Sequence, residues 1–224
     1  MKYSALKNFI NGELVIFDGG FSDVQSPLNG NIISTVPISN ADAVNRAVLA
    51  AQKAFSSWST FPIKERAKVF YRYRGLLEKN MNELAELIQE ENGKTISESI
   101  AEIEKSIEIT EFACSLPQIV TGEVLEVSKG VECRVENSPL GVVASITPFN
   151  FPNMVPNWTI PIALMLGNCM ILKPSELVPL SANRIAVLLK ESGLPDGVLN
   201  IVHGAKEAVE AICDHPGIQA ISFV

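Results

Sequence analysis

The spacing of hydrophobic and polar residues changes its period twice along this chain. Residues 8–36 break into short apolar stretches, NFINGELV and SPLNGNIISTVP, whose Asn11-Gly12 and Asn29-Gly30 pairs favour the positive φ of tight hairpins. The spacing then becomes helical. Val44, Ala47, Val48, Ala51, Phe55 and Trp58 recur at steps of three and four, behind a capping Asn40 with Asp42 in the first turn. Pro62 opens a second helix bearing Val69, Phe70, Tyr73, Leu76 and Leu77. Leu84, Leu87 and Ile88 mark a third, closed by Gly93. A fourth carries Ile96, Ile100, Ile103 and Ile107 and is expected to end before Pro117.

Beyond residue 120 the period drops to two. Val131, Cys133 and Val135 alternate with Glu132, Arg134 and Glu136, which predicts a strand with one wet face. With GEVLEV before it and Ser128-Lys129-Gly130 between, the stretch reads as a hairpin, either an ordinary surface hairpin or an oligomerisation arm. From Gly141 four apolar stretches follow, GVVASIT, CMILK, VLNIV and QAISFV, separated by helical segments. Strands without polar alternation, joined through helices, predict a parallel sheet covered on both faces. The fold class is therefore α/β. A helical segment with short strands spans 1–120, a hairpin 121–140, and part of a doubly wound parallel sheet 141–224.

Ligands of open α/β sheets bind beyond the carboxyl ends of the strands, so two turns matter most. The first strand leads into SITPFNFPNMVPNW, where Pro148 and Pro152 stiffen the backbone around Asn150. The second leads into Lys173-Pro174-Ser175-Glu176. A carboxamide is neutral at every working pH, so Asn150 can hydrogen-bond a developing oxyanion with no proton to manage. Lys173 and Glu176 can serve the hydroxyls of a ribose, one donating and one accepting. Each also has a plainer role open to it: Asn150 satisfying a turn backbone, and Lys173 with Glu176 forming a surface ion pair. No Gly-x-Gly-x-x-Gly follows the first strand.

Composition narrows the partners. The net charge is −7 with no basic run, which argues against nucleic acid. No apolar stretch reaches the roughly 18 residues of a membrane helix, and the N-terminal residues lack the apolar run of a signal peptide. The four cysteines, at 114, 133, 169 and 213, contain no Cys-x-x-Cys pair, and with His203 and His215 they form no metal spacing. Reduced, buried thiols of a cytoplasmic protein are expected, and no metal.

The blocks TPFNFP, GNCMILKPSE, SGLPDGVLNIVHG and HPGIQAISFV, in this order, resemble the NAD(P)-dependent aldehyde dehydrogenase superfamily. NFINGE, AQKAFSSWS, ENGKT and the hairpin before SPLGVV extend the resemblance over essentially the whole chain. Within the superfamily, PFNFPNMVP, EFACSLPQIVTGE and LNIVHGAKEAVEAICDHPGIQAISFV look most like the CoA-acylating methylmalonate-semialdehyde dehydrogenases. The resemblance implies a Rossmann-like cofactor domain for NAD, with a small aldehyde as substrate and CoA as a candidate co-substrate. It makes Asn150 the oxyanion-hole amide. It makes Ile146, Thr147, Pro148, Phe149, Lys173, Ser175 and Glu176 cofactor-binding residues. Thr147 and Phe149 would line the channel, and Lys173 and Glu176 would hold the adenosine ribose. It also implies a homo-oligomer formed through the 121–140 hairpin.

Two positions depart from the resembled branch: Lys105 stands where its members usually carry arginine, and Leu177 follows the Lys-Pro-Ser-Glu block where many have another arginine. The family's nucleophilic cysteine, its general-base glutamate and the Gly-Ser/Thr step after ISFV find no counterpart among these residues. The expectation is a chain that ends inside the cofactor domain, lacks the catalytic domain and is inactive alone. A succinate-semialdehyde-type or broad aldehyde dehydrogenase is the enzymatic alternative. A non-catalytic fragment that binds nucleotide or a partner is the other.

Overall fold

The computed structural model describes residues 1–17 and 19–224. Four parallel strands form its centre: β7 (Val142–Ile146), β8 (Cys169–Lys173), β9 (Leu199–Ile201) and β10 (Ala220–Phe223). All residues of β7, β8 and β9 are buried, as apolar strands covered on both faces must be. The crossover helices α5 (Met154–Met165) and α6 (Pro179–Glu191) carry the chain from β7 to β8 to β9 in one direction. Helix α7 (Lys206–Asp214) then carries it back, so β10 pairs with the far side of β7. Right-handed crossovers put helices running in opposite directions on opposite faces of the sheet. Accordingly α7 packs with α1 (Ala41–Trp58), while α5 and α6 pack with α2 (Ile63–Lys79), α3 (Met81–Asn92) and α4 (Ile96–Ile119).

The sheet is not purely parallel. Strands β1 (Asn8–Ile10) and β2 (Glu13–Val15) form the expected hairpin, with Asn11 at φ 52° and Gly12 at φ 76°. The hairpin joins the main sheet, β1 pairing antiparallel to β9 through Phe9 and Ile201, which gives the order β10-β7-β8-β9-β1-β2. Polar side chains fasten it: Asn11 N donates to Asn200 Oδ1 at 2.9 Å and His203 N to Asn8 Oδ1 at 2.7 Å. Strands β3 (Phe21–Gln25) and β4 (Ile32–Pro37) make a separate ribbon. Asn29-Gly30 lies in the six-residue loop between them rather than in a two-residue turn, and of that pair only Gly30 has positive φ.

The helices begin where their signals lie. The Asn40 side chain accepts from the amides of Asp42 and Ala43 at the start of α1. Gly93, at φ 87°, closes α3, and Thr95 opens α4 with a capping box to Glu98. Helix α4 does not stop before Pro117 but runs to Ile119. Proline removes only the N–H that would have bonded Ala113, its fixed φ is already helical, and Val120 N still reaches Leu116 O at 2.8 Å. The hairpin of β5 (Glu123–Ser128) and β6 (Val131–Val135) also differs from expectation, since both of its faces are wet. No described element covers it, so period-two alternation does not translate there into a buried side.

Candidate functional site

The register of the parallel strands levels one edge of the sheet. Ile146 lies opposite Lys173 on one side and Phe223 on the other, and Thr147 N donates to Lys173 O at 3.1 Å. Strand order reverses between β10 and β7, and such a switch point, beyond the carboxyl ends of the strands, is where ligands of open α/β sheets bind. Residues 147–153 lead out of β7 beside this switch point and into α5. Ile146 and Thr147 are buried, Pro148 is half-buried, and Phe149 and Asn150 are exposed.

Asn150 makes no hydrogen bond with any described residue, so it does not spend its carboxamide on the turn. The backbone around it is held by others. Asn92 Nδ2 donates to Phe149 O at 2.8 Å. Glu102 Oε1 accepts from the amides of Asn153 and Met154 at 2.8 and 3.0 Å, where it satisfies the first free N–H groups of α5. The Lys94 ammonium lies 3.7 Å from the centre of the Phe151 ring.

The second turn supplies a charged pair of unequal exposure. Lys173 Nζ is 3.1 Å from Glu176 Oε2, with the lysine side chain 6% exposed and the glutamate 38%. Burial of the lysine side chain, at the end of β8, separates this pair from an ordinary surface ion pair. Ser175 is half-buried, and its Oγ accepts from Leu177 N at 3.3 Å. Leu177 itself is exposed.

His203, just past β9 on the same edge, is wholly buried. Its Nε2 lies 2.7 Å from Asn183 Oδ1, while Nδ1 has no partner among the described residues. Burial, helped by the charge of Lys173, drives its pKa down to about 3, so the imidazole is neutral beside the lysine. Metal spacing was the only role for which the sequence brought this histidine forward, and no metal-ligand cluster exists among the described residues. Asn92, Lys94 and Glu102 were missed as site residues too. Two of them stand in the stretch ENGKT, a local signal that could have directed attention there.

None of the cysteines lies at this edge. Cys114 and Cys169 are buried, and burial pushes their thiols up to about 11 and about 12. Cys133 and Cys213 are exposed, against the expectation of buried thiols, the first on the uncovered hairpin and the second on the outer side of α7. Lys105, on α4 one turn past Glu102, is exposed and paired with Glu108 at 2.9 Å.

A doubly wound α/β unit with polar side chains gathered at its switch point is a nucleotide-binding class of domain. The model of the aldehyde dehydrogenase family matches residues 18–224, and the chain belongs to that family. It is 47% identical over 221 residues to a malonate-semialdehyde dehydrogenase of Halalkalibacterium halodurans, covering 98% of this chain and 46% of the relative. The crystal structure of a methylmalonate-semialdehyde dehydrogenase from Oceanimonas doudoroffii matches with a TM-score of 0.97 and 42% identity, over 99% of this chain and 46% of that one. A Sinorhizobium meliloti 1021 protein, described as a putative methylmalonate-semialdehyde dehydrogenase complexed with NAD, matches with a TM-score of 0.97 and 40% identity, over 100% and 46%. The chain thus spans about half the length of the relatives it matches, and the sequence resemblance and α/β class are both borne out.

Proposed function

We propose that residues 1–224 form the cofactor-binding half of an NAD-dependent dehydrogenase that oxidises a small semialdehyde, with CoA as acyl acceptor. The observation that carries this reading is the shared edge. The uncommitted Asn150 carboxamide and the Lys173–Glu176 pair stand at the carboxyl ends of neighbouring strands, beside the strand-order reversal. Relatives named for malonate and methylmalonate semialdehyde, one of them complexed with NAD, support the substrate class and cofactor.

The residues present fit NAD. The nearly buried Lys173 Nζ donates and the more open Glu176 Oε2 accepts, the complement of a vicinal ribose diol. Ile146, Thr147, Pro148 and Phe149 form the wall of the channel, and Ser175 holds its turn by accepting from Leu177 N. When bound, NAD supplies the hydride acceptor. This chain's part in the chemistry falls to Asn150. Its N–H₂ donates to the aldehyde oxygen as a thiolate attacks the carbonyl carbon and negative charge builds on that oxygen. Lys105 meets the carboxylate of the semialdehyde as a point charge rather than a bidentate fork.

We further divide the chain into a cofactor domain, 1–120 with 141–224, and a hairpin, 121–140, that joins copies of the protein. No described helix is long and apolar enough to cross a membrane, and free thiols suit the reducing cytoplasm to which we assign the protein.

Absorbance at the NADH band tests this reading in the full-length enzyme. Malonate semialdehyde, NAD and CoA together are expected to yield NADH and an acyl-CoA, and reduction independent of aldehyde would refute it. Residues 1–224 by themselves are expected to form no NADH, because two thiols are held protonated and the other two lie away from the site. Turnover abolished by mutating one of these cysteines would overturn that assignment.

A further inference from the structure

We propose that Glu91–Thr95, read as Glu-Asn-Gly-Lys-Thr, is a single clamp that sets the Asn150 loop in place, with Asn92 and Lys94 as positioning residues for the Asn150 carboxamide. This rests on the reading of Asn150 as the oxyanion donor. The stretch joins α3 to α4, and each of its residues has a separate task. Glu91 is buried, and its two oxygens accept from Leu180 N at 2.6 Å and Ser181 N at 2.9 Å. It thereby anchors the start of α6, the helix that follows the Lys173–Glu176 turn. Gly93 makes the left-handed reversal at φ 87°, where a Cβ would come within 2.9 Å of Pro27 Cγ. Thr95 starts α4, and this places Glu102 two turns further along the helix.

Asn92 and Lys94 reach the loop itself. Asn92 fixes the carbonyl of Phe149, which belongs to the peptide plane immediately before Asn150. Lys94 lies 2.5 Å from Glu102 Oε2 and covers the Phe151 ring, immediately after Asn150. The other oxygen of Glu102 takes the amides of Asn153 and Met154. Glu102 is 3% exposed, so its charge is viable there only with the lysine beside it and those amides on it. The loop is therefore gripped at 149, 151 and 153, while the side chain of Asn150 is left free and exposed. A free donor on a held backbone is the arrangement that transition-state stabilisation requires, because reorganisation is done before the charge appears. Glu91 ties the same stretch to the ribose-side turn through α6, so one segment references both halves of the edge.

The test is a double-mutant cycle in the full-length enzyme with NAD and malonate semialdehyde. Lys94→Met and Asn92→Ala are each expected to lower kcat between about tenfold and 10²-fold, the effect of an ångström-scale misplacement, with the KM for NAD within about twofold. Lys94→Arg, which keeps the charge and stacks on Phe151, is expected to restore most of the rate. Adding either change to Asn150→Ala should cost nothing further, because the clamp acts only through that amide. Losses that multiply would overturn the clamp. So would unchanged kcat in Lys94→Met and Asn92→Ala while Asn150→Ala is slow, a result that leaves the oxyanion reading intact. Unchanged kcat in Asn150→Ala would remove both. Should Lys94→Met fail to fold with Glu102 unpaired, Asn92→Ala, which deletes one exposed hydrogen bond, carries the same comparison.

Discussion

Replacing Glu91 by glutamine removes a carboxyl group that lies fully buried against the first amides of α6. Burial pushes its pKa from the ordinary 4.5 to about 7, against the pull of the Ser181 and Leu180 hydrogen bonds and with a small push from the charge of Glu102. The folded value is the higher one, so between the two the native state keeps a proton that the unfolded chain has released. The stability this supplies is fully present below about pH 4.5 and is lost as pH rises through about 7. At about 1.4 kcal/mol per unit, moving from about pH 5.5 to about pH 8 removes roughly 2 kcal/mol. Glutamine does not titrate. It faces one of the two α6 amides with its own N–H₂, a fixed cost of about 1–3 kcal/mol at any pH. The advantage of wild type over Glu91→Gln should therefore shrink by roughly 2 kcal/mol across that range. Urea unfolding of both proteins, followed by the fluorescence of the buried Trp58, measures it, and all other titrations cancel in the difference. An advantage that grows with pH would refute the reasoning, because it would mean that the α6 amides hold the carboxylate ionised and outweigh burial.

Three further outcomes are expected. Glu176→Gln in the full-length enzyme should raise kcat/KM with NADP relative to NAD, since it removes a carboxylate that repels a 2′-phosphate; an unchanged ratio would separate Glu176 from the ribose. Lys105→Gln should raise the KM for malonate semialdehyde about tenfold and leave an uncharged aldehyde of similar size unaffected, the worth of one partly exposed charge contact. Aspartate at both Val124 and Leu125, exposed on the uncovered hairpin, should lower the solution mass by light scattering without changing the far-ultraviolet circular dichroism; an unchanged mass would exclude the hairpin as the joint between copies.

Much of the edge is legible in the sequence. The prolines around Asn150 announce a rigid turn, and the apolar runs CMILK and VLNIV announce covered parallel strands. How these pieces are held is not legible there. Pro117 looks like a stop because the local rule considers the lost N–H, yet the fold keeps the next turn by packing Leu116 into the core. Val131, Cys133 and Val135 alternate as if they had a core to face, and in the fold they face none. In the sequence Asn150 has a backbone role open to it, and in the fold Asn92 from α3 and Glu102 from α4 meet that need.

By itself, then, the sequence determined the element types, the Asn11-Gly12 turn, the helix caps at Asn40 and Gly93, and the α/β class. Each follows from periodicity or a φ preference expressed within a few residues. Only the tertiary structure decided that β10 returns to the far side of β7 and so sets the switch point there, and that β1 closes on β9. Asn8 and His203, 195 positions apart, meet where β1 pairs with β9, and there the buried Asn8 Oδ1 accepts from His203 N. Such choices belong to the packing of the whole core, where the gain from burying many side chains together outweighs any local preference, and no short window of residues contains that sum.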